Sequence, residues 1–200
     1  MLSRPGPLPF GSEWSFELKW DGFRAIVSTE DGLCVRSRRG WNMTTVLPEL
    51  RGLPAGLVLD GELVAWKGSE PHFPHICRRV LNRDMSVPMT FVIFDLLRCH
   101  ERDLTRQTYE ERRHELVKLG LDGSTWTTCE AFEDGRALYA AVCELGYEGV
   151  VAKAQGSLYG PGEPGWVKIK NPGYWRRDAE IEGIQRSRER RRRVAWSKTI

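Results

Sequence analysis

Residues 14–29 read WSFELKWDGFRAIVST. Two runs rich in aromatic and β-branched residues flank Lys19-Trp20-Asp21-Gly22. This pattern predicts a strand over residues 14–18, a tight Asp-Gly turn and a second strand over residues 23–29. Lys19 is presented at a strand end, and Arg24 follows on the next strand. A lysine attacks only as the neutral amine, and its reference pKa is about 10.4, so a nucleophilic site must lower it with neighbouring cations or a bound metal. Alone, a K-x-D-G tetrapeptide reads as an ordinary surface hairpin. The rest of the chain changes that reading.

Working outward, a strand over residues 33–37 joins the second one through Glu30-Asp31-Gly32. Residues 57–66 form a long apolar run interrupted by Asp60-Gly61-Glu62, and FVIFDLL at residues 91–97 reads as a buried strand holding one acid. Helices are predicted over residues 76–81, 109–119 and 134–145. The second is so charged that it reads as surface-lying. The third starts at an acid and has Gly146 just past its end. Strand character returns at residues 149–153 and 166–169. Strands and helices mix without regular βαβ alternation, which predicts an α+β fold of mainly antiparallel sheets flanked by helices.

Composition sets the bounds. The chain has 200 residues, 40% hydrophobic, enough for one substantial core plus a short tail. No apolar run approaches the roughly 20 residues of a membrane span. The N-terminus MLSRPGPLPFGSE lacks an apolar h-region, so the expected location is the cytoplasm. Cys34, Cys77, Cys99, Cys129 and Cys143 are scattered, as reduced hydrophobes are. His72 and His75, in a proline-bearing stretch, read as surface residues. The net charge of +3 conceals a basic end. Composition shifts near Asn171-Pro172-Gly173, dividing a globular unit, residues 1–172, from a basic tail, residues 173–200, with helical character.

Several charges fall on strands. Glu62 lies within an apolar run and Glu148 at a strand entry. Lys168 and Lys170 are two apart and face one side. Ser37-Arg38-Arg39-Gly40 ends the hairpin with two cations that sequence does not rank. Burying unpaired charge costs several kcal/mol, so these groups point to a shared polyanionic ligand with its metal. Trp20 and Trp41 read as core or rim packing, with stacking on nucleic acid as the alternative.

In this order, these segments resemble the nucleotidyltransferase motifs of ATP-dependent DNA ligases, above all the bacterial ligase C and ligase D group. The resemblance covers roughly residues 8–172 and includes His72-Phe73-Pro74, Arg78-Arg79-Val80-Leu81, Asp103-Leu104 and Tyr109-Glu110-Glu111-Arg112-Arg113. It implies a covalent nucleotidyltransferase fold with Lys19 as the residue that takes AMP from ATP. It places Glu17 at the adenine edge, and Arg24 and Arg38 near the ribose, phosphate and nick 5′-phosphate. Phe94 would stack on adenine, and Lys168 and Lys170 would contact the α-phosphate. Glu62 would serve the ribose or a metal and Glu148 a metal, with Mg²⁺ or Mn²⁺ suiting oxygen ligands. The implied partner is nicked double-stranded DNA, with sealing in repair as the outcome.

The family's second domain, an OB-fold, is expected to be lacking, so a partner protein is a candidate to supply its function. The tail arginines Arg186, Arg188, Arg190, Arg191, Arg192 and Arg193 form a candidate phosphate grip. The alternative reading is a ligase-derived nucleic-acid-binding accessory protein that does not complete sealing alone.

Overall fold

The computed structural model describes residues 1–174. The arginines expected to grip phosphate, Arg186 to Arg193, lie outside the described residues, as does the expected helix that carries them. The strands are β1 Leu2–Pro5, β2 Trp14–Leu18, β3 Phe23–Ser28, β4 Cys34–Ser37, β5 Leu57–Lys67, β6 Glu70–Pro71, β7 Met89–Cys99, β8 Arg102–Asp103, β9 Trp126–Thr128, β10 Ala131–Phe132, β11 Gly149–Ala154 and β12 Pro164–Lys170. The helices are α1 Phe73–Asn82, α2 Tyr109–Lys118 and α3 Gly135–Glu144.

They build two sheets. The first has the order β1-β12-β11-β2-β10 and the second β4-β3-β5-β7-β8, with β6 on β5 and β9 on β7. Only β1 on β12 and β9 on β7 pair in parallel among the described strands. The α+β, mainly antiparallel expectation therefore holds. The strand β1 was not anticipated: its sequence, LSRP, lacks strand periodicity and is ordered by β12.

Alternation within the strands sorts side chains to two sides. Phe16, Val150, Ala152 and Ile169 of the first sheet pack with Leu138 and Val142 of α3. The Asp134 carboxylate caps that helix by accepting from the Arg136 and Ala137 amides, and Gly146 follows it at φ 71°. A larger core joins Val27, Leu59, Leu63, Phe91 and Ile93 of the second sheet to Ile76 and Val80 of α1 and Leu116 of α2. Between the sheets, Leu97, Tyr159 and Trp166 form a smaller cluster with Phe94 and Val151.

Two expectations are corrected. Helix α2 lies on the surface with one face only: Glu110, Glu111, His114, Val117 and Lys118 are exposed, but Tyr109, Arg112 and Leu116 are buried. Its start is a capping box between Thr108 and Glu111, but its inner face is polar because Arg112 pairs with Asp95 on β7. His72 and His75 are half-buried, and their rings meet edge-on at 4.2 Å.

Candidate active site

The chain crosses from the first sheet to the second at residues 19–22, between β2 and β3. Gly22 is required there, because a Cβ would collide with the Leu63 carbonyl oxygen. Lys19 stands at the start of this crossing, its amide donating to the Gly149 carbonyl at 2.9 Å. A cleft of about 640 Å³ opens between the sheets, and Glu17, Lys19, Arg24, Arg38, Glu62, Phe94 and Lys168 line it. Most side chains assigned from sequence are thus brought together. Glu148 joins them by direct contact with Lys19. Lys170 stands beyond the lining, half exposed, with its Nζ 3.9 Å from Glu148.

Register explains the grouping. Across β2, β11 and β12, Glu17 pairs with Val151, which pairs with Lys168. One row away, Ser15, Lys153 and Trp166 align in the same way. On the other side Gly149 pairs with Lys170, next to Lys19. Period-two alternation puts all three rows on one face. In the second sheet Arg24 pairs with Glu62. The β5–β7 register slips between Asp60 and Gly61, so Asp60 faces Asp95 and Gly61 faces Ile93, leaving Phe94 as a bulge that lines the cleft.

The Lys19 ammonium donates to Glu148 Oε2 at 2.7 Å. Glu148 is buried, so this partner is held where water competes little. Glu62 is half-buried in the same cleft. Burial pushes its carboxyl up to about 8, against the pull of Lys19 and Arg24, with Asp21 and Glu148 adding like-charge repulsion. No cluster of three or more His, Cys, Asp or Glu side chains suited to a metal ion occurs among the described residues. Glu62 and Glu148 are the carboxylates that could serve a hard cation, which would take its other oxygens from water and a phosphate ligand.

Of the remaining assigned side chains, Arg24 and Glu17 are strongly held. Arg24 grips Asp60 as a fork, Nε to Oδ1 at 2.9 Å and Nη2 to Oδ2 at 2.5 Å, and Tyr159 donates to Oδ2 at 2.7 Å. The guanidinium lies 5.6 Å from the Phe94 ring centroid and 5.2 Å from that of Trp166. Glu17 is buried and receives Tyr109 Oη at 2.5 Å and Lys153 Nζ at 2.8 Å. Arg38 and Arg39 are both exposed at the cleft rim.

Sequence reading passed over Lys153, Asp60, Tyr159 and Trp166. Lys153 is 1% exposed, donates to Glu17 and to the Phe94 carbonyl at 2.9 Å, and lies within 4.8 Å of the Phe94, Tyr109 and Trp166 ring centroids. A signal existed: it is two residues from Val151 on a predicted strand, and it follows Glu148 in Glu148-Gly149-Val150-Val151-Ala152-Lys153. Trp166 Nε1 is buried without a hydrogen-bond partner, a donor on a cleft-lining residue. Trp20 is a packing residue as expected, edge-on to Trp66 at 5.8 Å and donating to Cys129 Sγ at 3.4 Å. Trp41 is not core: it is 46% exposed on the cleft rim.

Residues 9–170 match the model of the ATP dependent DNA ligase domain. The multifunctional non-homologous end joining DNA repair protein LigD of Mycobacterium tuberculosis is 36% identical over 188 residues, covering 89% of this chain and 24% of that protein. The crystal structure of the ligase domain of M. tuberculosis LigD matches with a TM-score of 0.73 at 35% identity, over 84% of this chain and 58% of that one. A mycobacterial DNA ligase D complexed with ATP and MES matches with a TM-score of 0.73 at 34% identity and the same coverage. The chain therefore spans about a quarter of the length of its LigD relatives. No helix among the described residues is long and apolar enough to cross a membrane.

Proposed function

The chain belongs to the family of ATP-dependent DNA ligase domains, and from that premise we propose that residues 1–172 act as an adenylation unit that loads AMP onto Lys19 and passes it to the 5′-phosphate of nicked DNA. The observation that carries this reading is the position of Lys19, inside a nucleotide-sized cleft and 2.7 Å from the carboxylate of Glu148.

In the first step the Lys19 amine attacks the α-phosphorus of ATP. The N–P bond forms, the bond to the bridging oxygen breaks, and pyrophosphate leaves. Glu148 is the nearest acceptor for the proton that the amine sheds. Lys168 and Lys170 bring positive charge to the α-phosphate from β12, one strand beyond β11, and Arg38 does so from the rim. Phe94 offers the adenine a ring face, braced by Trp166 edge-on at 5.6 Å. The Glu17–Lys153 pair forms the floor beneath it. Mg²⁺ or Mn²⁺ held by Glu62 and Glu148 would neutralise phosphate charge. In the second step the nick 5′-phosphate attacks the lysyl-AMP and the amine regains a proton. In the third the 3′-hydroxyl displaces AMP.

The substrate places the work where DNA is, in the cytoplasm, and the likeness to LigD supports a repair role. A partner protein is a candidate to contribute DNA grip, as are the tail arginines. The test uses α-labelled ATP and a divalent ion. Label is expected on Lys19 of the wild type and absent from Lys19→Ala. Equal labelling of the two would overturn the assignment. A pre-adenylated nick then separates a sealing enzyme from an accessory protein, since only the former closes it.

A further inference from the structure

The hairpin tip at residues 37–41 is pinned on every side. The Ser37 amide donates to the Trp41 carbonyl at 2.9 Å, the Trp41 amide donates to Ser37 Oγ at 3.1 Å, and the Gly40 amide donates to the Ser37 carbonyl at 2.8 Å. Arg36 Nη1 donates to the Gly40 carbonyl at 3.3 Å. Gly40 takes φ 79°, which lets the chain reverse. Behind the tip, the Met43 amide donates to the Val35 carbonyl at 2.9 Å, and both side chains are core. The loop is thus anchored to the interior and bonded across its own base.

This anchored loop raises Arg38, Arg39 and Trp41 on the rim of the cleft that holds Lys19. A large aromatic left half in water, where packing would cover it, needs a reason. Here it stands among three exposed arginines, Arg36 included, at the mouth of the cleft proposed above to take ATP. Cations with an interleaved aromatic suit a polyanion that also offers flat π-faces. Inside a continuous duplex those faces are covered by neighbouring bases. At a strand break one stack is interrupted, and a face becomes available.

We propose that Trp41 is a specificity-determining residue that stacks on a nucleobase flanking the strand break, while Arg38 and Arg39 hold the phosphates on either side. The occupant rests on the adenylyl-transfer reading above; the stacking rests on the loop itself. A rigid loop loses little entropy when it binds, so the stack adds affinity, and it adds it only where a base face is uncovered, which discriminates broken from unbroken DNA.

The test measures binding of the full chain to three duplexes closed by hairpins at both ends: intact, nicked with a 5′-phosphate, and gapped by one nucleotide. Trp41→Ala is expected to weaken nicked and gapped binding about 5- to 100-fold and intact-duplex binding less than about twofold, with an unchanged salt slope. Trp41→Phe is expected to retain most of the preference. Arg38→Ala and Arg39→Ala should each reduce the slope of log K against log salt by about 1. Equal losses on all three DNAs, no loss with Trp41→Ala, or a Trp41→Phe as weak as Trp41→Ala would overturn the proposal. Labelling of Lys19 is followed in parallel and should be unchanged in Trp41→Ala. If Lys19 takes no label while the break preference still depends on Trp41, the adenylyl-transfer reading fails and this one stands.

Discussion

Two ion pairs, one behind the cleft and one inside it, use similar chemistry to opposite ends. Arg112 on α2 and Asp95 on β7 are 0% and 1% exposed in their side chains. The guanidinium makes both arms of a fork to the carboxylate, at 2.7 and 2.9 Å, and also donates to the Gln107 and Ser157 carbonyls. Lys19 and Glu148 share a single hydrogen bond, and the Lys19 side chain is 17% exposed. A pair saturated on both sides is a fastener. A pair with one bond and an open side is a resting arrangement that a ligand can replace.

The largest expected effect tests the fastener. Arg112→Met leaves a buried, unpaired Asp95 and should cost about 3–5 kcal/mol in denaturant unfolding. Adding Asp95→Leu should recover most of it, since the charge then goes with its partner. Failure to recover would mean that Arg112 also holds the 107 and 157 loops through their carbonyls. Next is the resting pair. Glu148→Gln should slow Lys19 labelling by about 100- to 1000-fold, about 2.7–4 kcal/mol of barrier, while unfolding shifts by only about 1 kcal/mol. A loss of stability as large as that of Arg112→Met would erase the distinction between the two pairs.

Glu62 gives a third effect, with a sign fixed by linkage. Its folded pKa of about 8 lies above the ordinary 4.5. Between those values the unfolded chain releases the proton and the folded one keeps it, so stability falls as pH rises from 4.5 to about 8 and then levels. Glu62→Gln removes this slope. Above pH 8 the variant should be more stable than the wild type by about 1–3 kcal/mol, and less active in labelling. Parallel melting curves for the two proteins across pH 5–9 would refute it. The smallest effect belongs to Lys170, half exposed and 3.9 Å from Glu148. Lys170→Met should change stability by less than about 1 kcal/mol, with its effect confined to labelling rate.

What sequence revealed follows the range of the interactions. Period-two alternation is local, so Lys168 and Lys170 were legible as strand residues facing one way, and the Asp134 cap and Gly146 stop marked α3. Helix α2 was misread because its buried arginine finds its acid on β7, 17 residues away in sequence. Lys153 was hidden for the same reason: Glu17 lies 136 residues from it. Arg24 was read as a ligand-facing cation, and the structure shows it also forked onto Asp60, a carboxylate passed over beside Glu62. Trp41 read as core or rim packing and stands on the rim, because composition does not report which of the two a tryptophan takes.

The two crossings between the sheets have a mechanical consequence. The chain passes from one sheet to the other at residues 19–22, and returns at residues 129–130 between β9 and β10. Trp20 in the first crossing donates to Cys129 in the second. The two links therefore touch each other, and Lys19 opens the first of them. Lys19 thus sits where the two chain links between the sheets meet, and its backbone is fixed there by the bond from its amide to the Gly149 carbonyl.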